Sequence, residues 1–138
     1  MTLKKANTVL ATLVTLFVLY LGLSFILAPG AVTPGVGLPT WPAGDGGGFL
    51  TMKGIREFSM GLVLGILLIT RHRRALGWVL LMEAVAPFAD MINVFAHHGS
   101  TAAALGIHGL TAALIAVTGL LVLRETSVAR RLPAAVPA

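Results

Sequence analysis

Four apolar runs of about twenty residues, at 8–28, 49–70, 75–96 and 101–123, leave this chain little choice of fold. Each is long enough to cross the hydrocarbon core of a bilayer as a helix. The connections after the second and third runs are short, which makes neighbouring helices antiparallel. The reading is an all-α integral membrane four-helix bundle, with 1–124 as one membrane domain. Composition agrees, since 57% of the 138 residues are hydrophobic and 11% charged, against about a quarter charged in soluble domains. No length remains for a separate soluble domain.

Lys4 and Lys5 precede the first run. A cleaved signal peptide shares that basic start, but this run exceeds the usual core of ~7–15 residues and no Ala-x-Ala site closes it. The 29–48 stretch holds Pro29, Pro34, Pro39 and Pro42 with seven glycines, and reads as an irregular outer loop with Trp41 and Phe49 as interfacial anchors. Arg71 to Arg74 and His97 to Ser100 form the remaining turns, and 125–138, with Arg130 and Arg131, reads as a basic, disordered tail. Lys and Arg flank the runs on alternate sides, so the positive-inside rule places both termini in the cytoplasm of a multi-pass cell-membrane protein. The formal charge of +5 therefore reports topology and lipid contact, and no nucleic-acid partner is expected. The absence of cysteine excludes disulfides, thiolate catalysis and Cys-ligated metals from the chain. Gly61 with Gly65, and Ala102 with Gly106, allow close helix contact within the bundle or in a homo-oligomer.

The chemistry lies in charges that interrupt the apolar runs. Lys53-Gly54-Ile55-Arg56-Glu57 opens the second, Glu83 and Asp90 fall inside the third, and His108 inside the fourth. Of five acidic residues, Glu57, Glu83 and Asp90 are in predicted spans. An unpaired charge at mid-bilayer costs at least ~2.5–3.5 kcal/mol, so such groups face the bundle interior and pair. At about 100° per residue, Lys53, Arg56 and Glu57 share one helix face, and Glu83, Asp90, Asn93 and His97 share a stripe about 80° wide. All but Glu83 lie toward the outer ends of their spans, and Glu83 sits about 10 Å deeper than Asp90. Arg56 answers either Asp90 or a ligand: in an inert bundle Arg56 pairs with Asp90 and Lys53 with Glu57 to fix helix register, and Lys53, near the interface, is the member able to snorkel. Pro87 cannot donate to the Glu83 carbonyl, which predicts a kink there. Tyr20 and Ser24 of the first span complete a polar chamber.

His97 and His98 read as a solvated turn. His108 lies inside a span at the level of Asp90, and a His–carboxylate pair is a workable acid–base unit. A zinc site from His97, His98, His108 and Asp90 fits in ligand type, but no spacing motif supports it, so neither metal nor cofactor is expected. No phosphate loop, dinucleotide fingerprint or nucleophile elbow appears.

The Lys53–Glu57 string, the Asp90 that follows in the next span and the His108-Gly109 pair resemble an uncharacterised family of four-span integral membrane proteins, domain of unknown function 4267. The resemblance covers the second to fourth spans best. It implies a fold and a site around Arg56, Glu57, Asp90 and His108, without a reaction.

Three functions compete. In a cofactor-free acid–base enzyme of isomerase, cyclase or hydratase type, acting on a lipophilic small molecule, Glu57 or Asp90 is the base, His108 the acid partner and Arg56 the stabiliser of negative charge. Tyr20, Lys53, Glu83, Asn93 and Trp41 contact the substrate. A proton-coupled transporter uses Glu83 and Asp90 and needs a homo-oligomer. A structural or accessory subunit uses the charges as ion pairs only. A cavity inside the cluster favours the enzyme, a through-path the transporter, and tight packing the accessory role.

Overall fold

The computed structural model describes residues 3–131, which contain helices and turns and no strand. In order they are α1 (Leu3–Leu27), α2 (Pro29–Val36), a 3-10 turn (Gly44–Gly47), α3 (Gly48–Ile69), α4 (Arg73–Glu83), α5 (Val85–Ala96), α6 (Thr101–Ala103), a π-helical segment (Ala104–Gly109) and α7 (Leu110–Arg131). α4 and α5 follow one another as a single rod broken at Ala84, three residues before Pro87, and α6 to α7 form the last rod. Three stretches are long and apolar enough to cross a membrane: Leu3–Leu27, Arg73–Ala96 and Thr101–Val128. The protein is an all-helical membrane bundle. α3 has the length, at 22 residues, but every 18-residue window in it contains Lys53, Arg56 and Glu57.

Glycine decides which rods pair. A Cβ on Gly54 of α3 would lie 2.8 Å from the Gly22 carbonyl and from Phe25 Cβ on α1, and one on Gly22 would meet the backbone of Phe58. The α1–α3 crossing is therefore backbone against backbone, closer than any side chain permits. Gly61 continues it, lying under Leu19, and Gly65 faces Thr15. This pair, read above as able to pack within the bundle or between subunits, meets α1 of its own chain. On the other side Gly77 of α4 packs on Leu123 and Gly119 of α7. Ala102 is exposed and Gly106 faces open space, so that small pair joins no rods. Between the two layers lies the apolar core of Ala11, Val18, Leu64, Leu76, Leu80, Ala84, Ile115 and Val122.

Two segments differ from the pattern-based expectation. Residues 29–36 form a helix, although four prolines argued for an irregular loop. Pro29 occupies the first turn, where its missing N–H is not needed, and Gly37 at φ 87° closes the other end in the left-handed conformation. Residues 125–131, assigned above to a disordered tail, continue α7, because Glu125 has a partner inside the bundle. The rest of that tail lies outside the described residues.

That partner is Arg73, at the lower end of the bundle, where α1 and α4 begin. Its guanidinium donates to both oxygens of Glu125, from Nε at 3.2 Å and Nη2 at 2.7 Å. Asn7, fully buried, donates its amide to Glu125 Oε2 at 3.0 Å and to the Leu121 carbonyl at 3.1 Å. The clamp ties α1, α4 and α7 together.

Candidate functional site

The opposite, upper end is built differently. α2 crosses it as a roof, held at its C-terminus by the last rod: the Gly37 carbonyl accepts from Ser100 N–H at 2.8 Å, and the Val36 carbonyl accepts from His108 Nε2 at 2.8 Å. A carbonyl only accepts, so Nε2 carries the proton, and in the neutral ring the lone pair lies on Nδ1, which has no hydrogen bond among the described residues. The π turn positions this ring. Leu110 N–H reaches back five residues to the Leu105 carbonyl, and such insertions rotate one side chain relative to the regular helix and recur at functional sites.

Beneath the roof is a cavity of about 300 Å³. α1 supplies Phe17, Val18, Leu21 and Phe25, α2 Val32 and Val36, α3 Lys53 and Glu57, α4 and α5 Glu83, Pro87 and Asp90, and the last rod Ile107, His108, Thr111 and Ile115. Most of the wall is aliphatic or aromatic, while the titratable groups gather on the side of α3, α4 and α5. Phe17, Ala31 and Ile107 at the rim are exposed, so the cavity opens sideways on the bundle surface.

Lys53 is the hub of this cluster. Its Nζ lies 3.3 Å from Glu57 Oε1 and 3.2 Å from Asp90 Oδ2, and 5.7 Å from the centroid of the Phe25 ring. Gly54 explains the geometry. By packing on α1 it fixes the rotation of α3, which turns Lys53 and Glu57, one helical turn apart, toward α5. The two carboxylates that share Lys53 are thereby neutralised in part. Glu83 has no such partner: it is 9% exposed, lines the cavity, and makes no hydrogen bond or ion pair among the described residues.

Several expectations change. Of the two ion pairs weighed above, Lys53 with Glu57 is present, but Asp90 pairs with Lys53 as well, and Arg56 is exposed and forms no ion pair among the described residues. Arg56 borders a neighbouring cleft of about 560 Å³ with Phe49, Met52, Met60 and Ala86, which shares Lys53, Glu57 and Glu83 with the cavity. Lys53 is the centre of the network rather than a snorkelling rim residue. His108 bonds to Val36 and not to Asp90. Tyr20 is 65% exposed and points away. Asn93 is exposed on α5 and Trp41 is half-buried, and neither lines the cavity or the cleft. Five residues expected in the site therefore converge on the cavity: Lys53, Glu57, Glu83, Asp90 and His108. The roof and its Val36 carbonyl were missed; Pro29 at a helix start and Gly37 at a helix end were the available signal. Among the described residues no group of three or more His, Asp or Glu side chains gathers to hold a metal ion.

Comparison with known proteins adds a family. Residues 15–122 match the model described as Domain of unknown function (DUF4267), which spans every residue of the cavity. No curated protein and no solved structure matches the chain.

Proposed function

The chain belongs to the DUF4267 family, and from the site that its matched region encloses we propose that it is a multi-pass cell-membrane enzyme performing cofactor-free acid–base chemistry on a lipophilic small molecule. In this reading α3 is the fourth span, its charges turned inward, and both termini are cytoplasmic. Lys4, Lys5, Arg71, Arg73, Arg74 and Arg124 at the lower end support that orientation. The cavity then lies in the outer half of the bilayer, and its sideways mouth admits a ligand from lipid.

The observation that carries the proposal is the Nδ1 lone pair of His108, without a hydrogen bond among the described residues, beside an apolar cavity. Lys53 holds Glu57 and Asp90 in ion pairs, so the role of base passes to His108. His108 removes a proton from the substrate and returns it, with the Val36 carbonyl holding the tautomer and orientation. Glu83 fixes the polar end of the substrate. Allylic isomerisation by proton transfer, and cyclisation or hydration that begins by protonating an alkene, each place on carbon a hydron carried by the catalytic base, which exchanges with solvent. These are the reactions proposed. The test is therefore incubation of the purified protein with membrane-lipid extracts in deuterium oxide, with products read by mass spectrometry. The wild type is expected to incorporate deuterium, and His108→Gln to lose at least about a hundredfold in rate. Equal incorporation by the two ends the proposal.

A proton-coupled transporter is the second reading, favoured by the place of Glu83 between the cavity and the neighbouring cleft. It requires a homo-oligomer. Flux driven by a pH gradient in proteoliposomes, abolished by Glu83→Gln, would replace the enzymatic reading.

A further inference from the structure

Three carboxyl groups, Glu57, Glu83 and Asp90, and one ammonium, Lys53, line the cavity beside His108. Lys53 is shared between Glu57 and Asp90 and makes no bond to Glu83 among the described residues. Glu83 is left over, nine-tenths buried, without a donor among the described residues, and it borders the cavity. A buried carboxylate needs a counter-charge or donors to remain ionised. An anionic ligand would add to the imbalance, and a neutral hydrocarbon would leave it. A metal ion lacks a gathered set of ligands among the described residues. An organic cation supplies what is missing.

The apolar wall fits the same occupant. Phe17 and Phe25 line it, and the ring of Phe25 already has the Lys53 ammonium near its face, the arrangement that attracts alkylammonium groups to aromatic rings. At about 300 Å³ the cavity is at the small end for ligand sites. It suits a compact molecule, or the head of a longer one whose chain leaves past the exposed Phe17 and Ile107.

We propose that the cavity takes a lipophilic organic cation, an amine in its ammonium form or a quaternary ammonium, with the charged nitrogen on Glu83 and the apolar part against Phe17 and Phe25. This rests on the reading of the cavity as the ligand site, and it names the polar end that Glu83 holds. It does not depend on turnover.

The experiment is equilibrium binding of radiolabelled benzyltrimethylammonium to the full chain in nanodiscs of zwitterionic lipid. Neopentylbenzene, in which carbon replaces the nitrogen, and benzylsulfonate serve as unlabelled competitors. Saturable binding is expected, with neopentylbenzene at least tenfold weaker than the unlabelled cation and benzylsulfonate without effect. Glu83→Gln is expected to lower affinity at least tenfold, and Glu83→Asp to recover part of it. Absence of saturable binding to the wild type, competition by benzylsulfonate equal to that of the cation, or unchanged affinity in a folded Glu83→Gln protein would overturn the proposal. The competitor series uses the wild type alone, so it decides even if the variants misfold. Cation binding without deuterium incorporation removes the enzymatic reading and leaves this one. Incorporation into neutral substrates without cation binding does the reverse.

Discussion

The two ends of the bundle use the same residue types to opposite effect. At the lower end the charges of Arg73 and Glu125 cancel: one guanidinium forks onto one carboxylate, and the Asn7 amide N–H adds a third donor, although Asn7 Oδ1 is buried without a partner among the described residues. At the upper end one ammonium serves two carboxylates and a third carboxyl, Glu83, is left facing a cavity. The clamp has no charge to spare and joins three helices. The upper cluster keeps a carboxyl with no partner among the described residues and a cavity beside it, which leaves room for a ligand. Burial alone does not separate the two, because Asn7 and Glu83 are both buried. What separates them is whether each carboxylate already has a cation: Glu125 has Arg73, and Glu83 has none among the described residues.

The largest effect is expected from breaking the clamp. Arg73 and Glu125 side chains are 14% and 13% exposed, so Arg73→Ala leaves a largely buried carboxylate and should cost about 3–5 kcal/mol, while Arg73→Met with Glu125→Leu restores most of it. Thermal unfolding in detergent measures this, and a single-variant loss below about 1 kcal/mol would reduce the clamp to a surface pair. Gly54→Ala comes next. Its Cβ would sit 2.8 Å from the Gly22 carbonyl, and overpacking of this kind costs about 1–3 kcal/mol. Because Gly54 also sets the direction of Lys53 and Glu57, cation binding should fall with it; retention of both would mean that α1 yields without moving the site. The smallest effect sharpens the contrast most. Glu83→Leu should leave stability unchanged or raise it by about 1 kcal/mol, as removal of an unpartnered functional carboxyl commonly does, whereas Glu125→Leu alone should destabilise. If Glu83→Leu unfolds the protein, Glu83 is as structural as Glu125.

Much of the upper site was legible in the sequence because each charge interrupts an apolar run, and helical periodicity tells which residues share a face. Glu57, Asp90, Glu83 and His108 were found that way. The pairing was not. Lys53 and Arg56 are three residues apart, and which of them meets Asp90 depends on the rotation of α3 by about 60°, a quantity set by the contact of Gly54 with Gly22. His108 was matched to Asp90 by depth alone, while the π turn and the roof helix directed it to Val36. Glu125 was set aside with the tail, since nothing local reveals that Arg73 and Asn7, far away in the chain, wait at its level. Tyr20 was at a plausible depth on the wrong face.

By itself the sequence determined the four long rods, their order and their polar and apolar faces, since length, hydropathy and helical periodicity act within a few residues; the roof helix α2 and the last turns of α7 were not read from it. It also determined which rods carry charge at the upper end. Only the tertiary structure decided which charges satisfy one another, that a cavity remains beside the one left over, and that α2 covers it. Those depend on how far each helix turns about its axis, and that turn is set where glycine backbones of different rods meet.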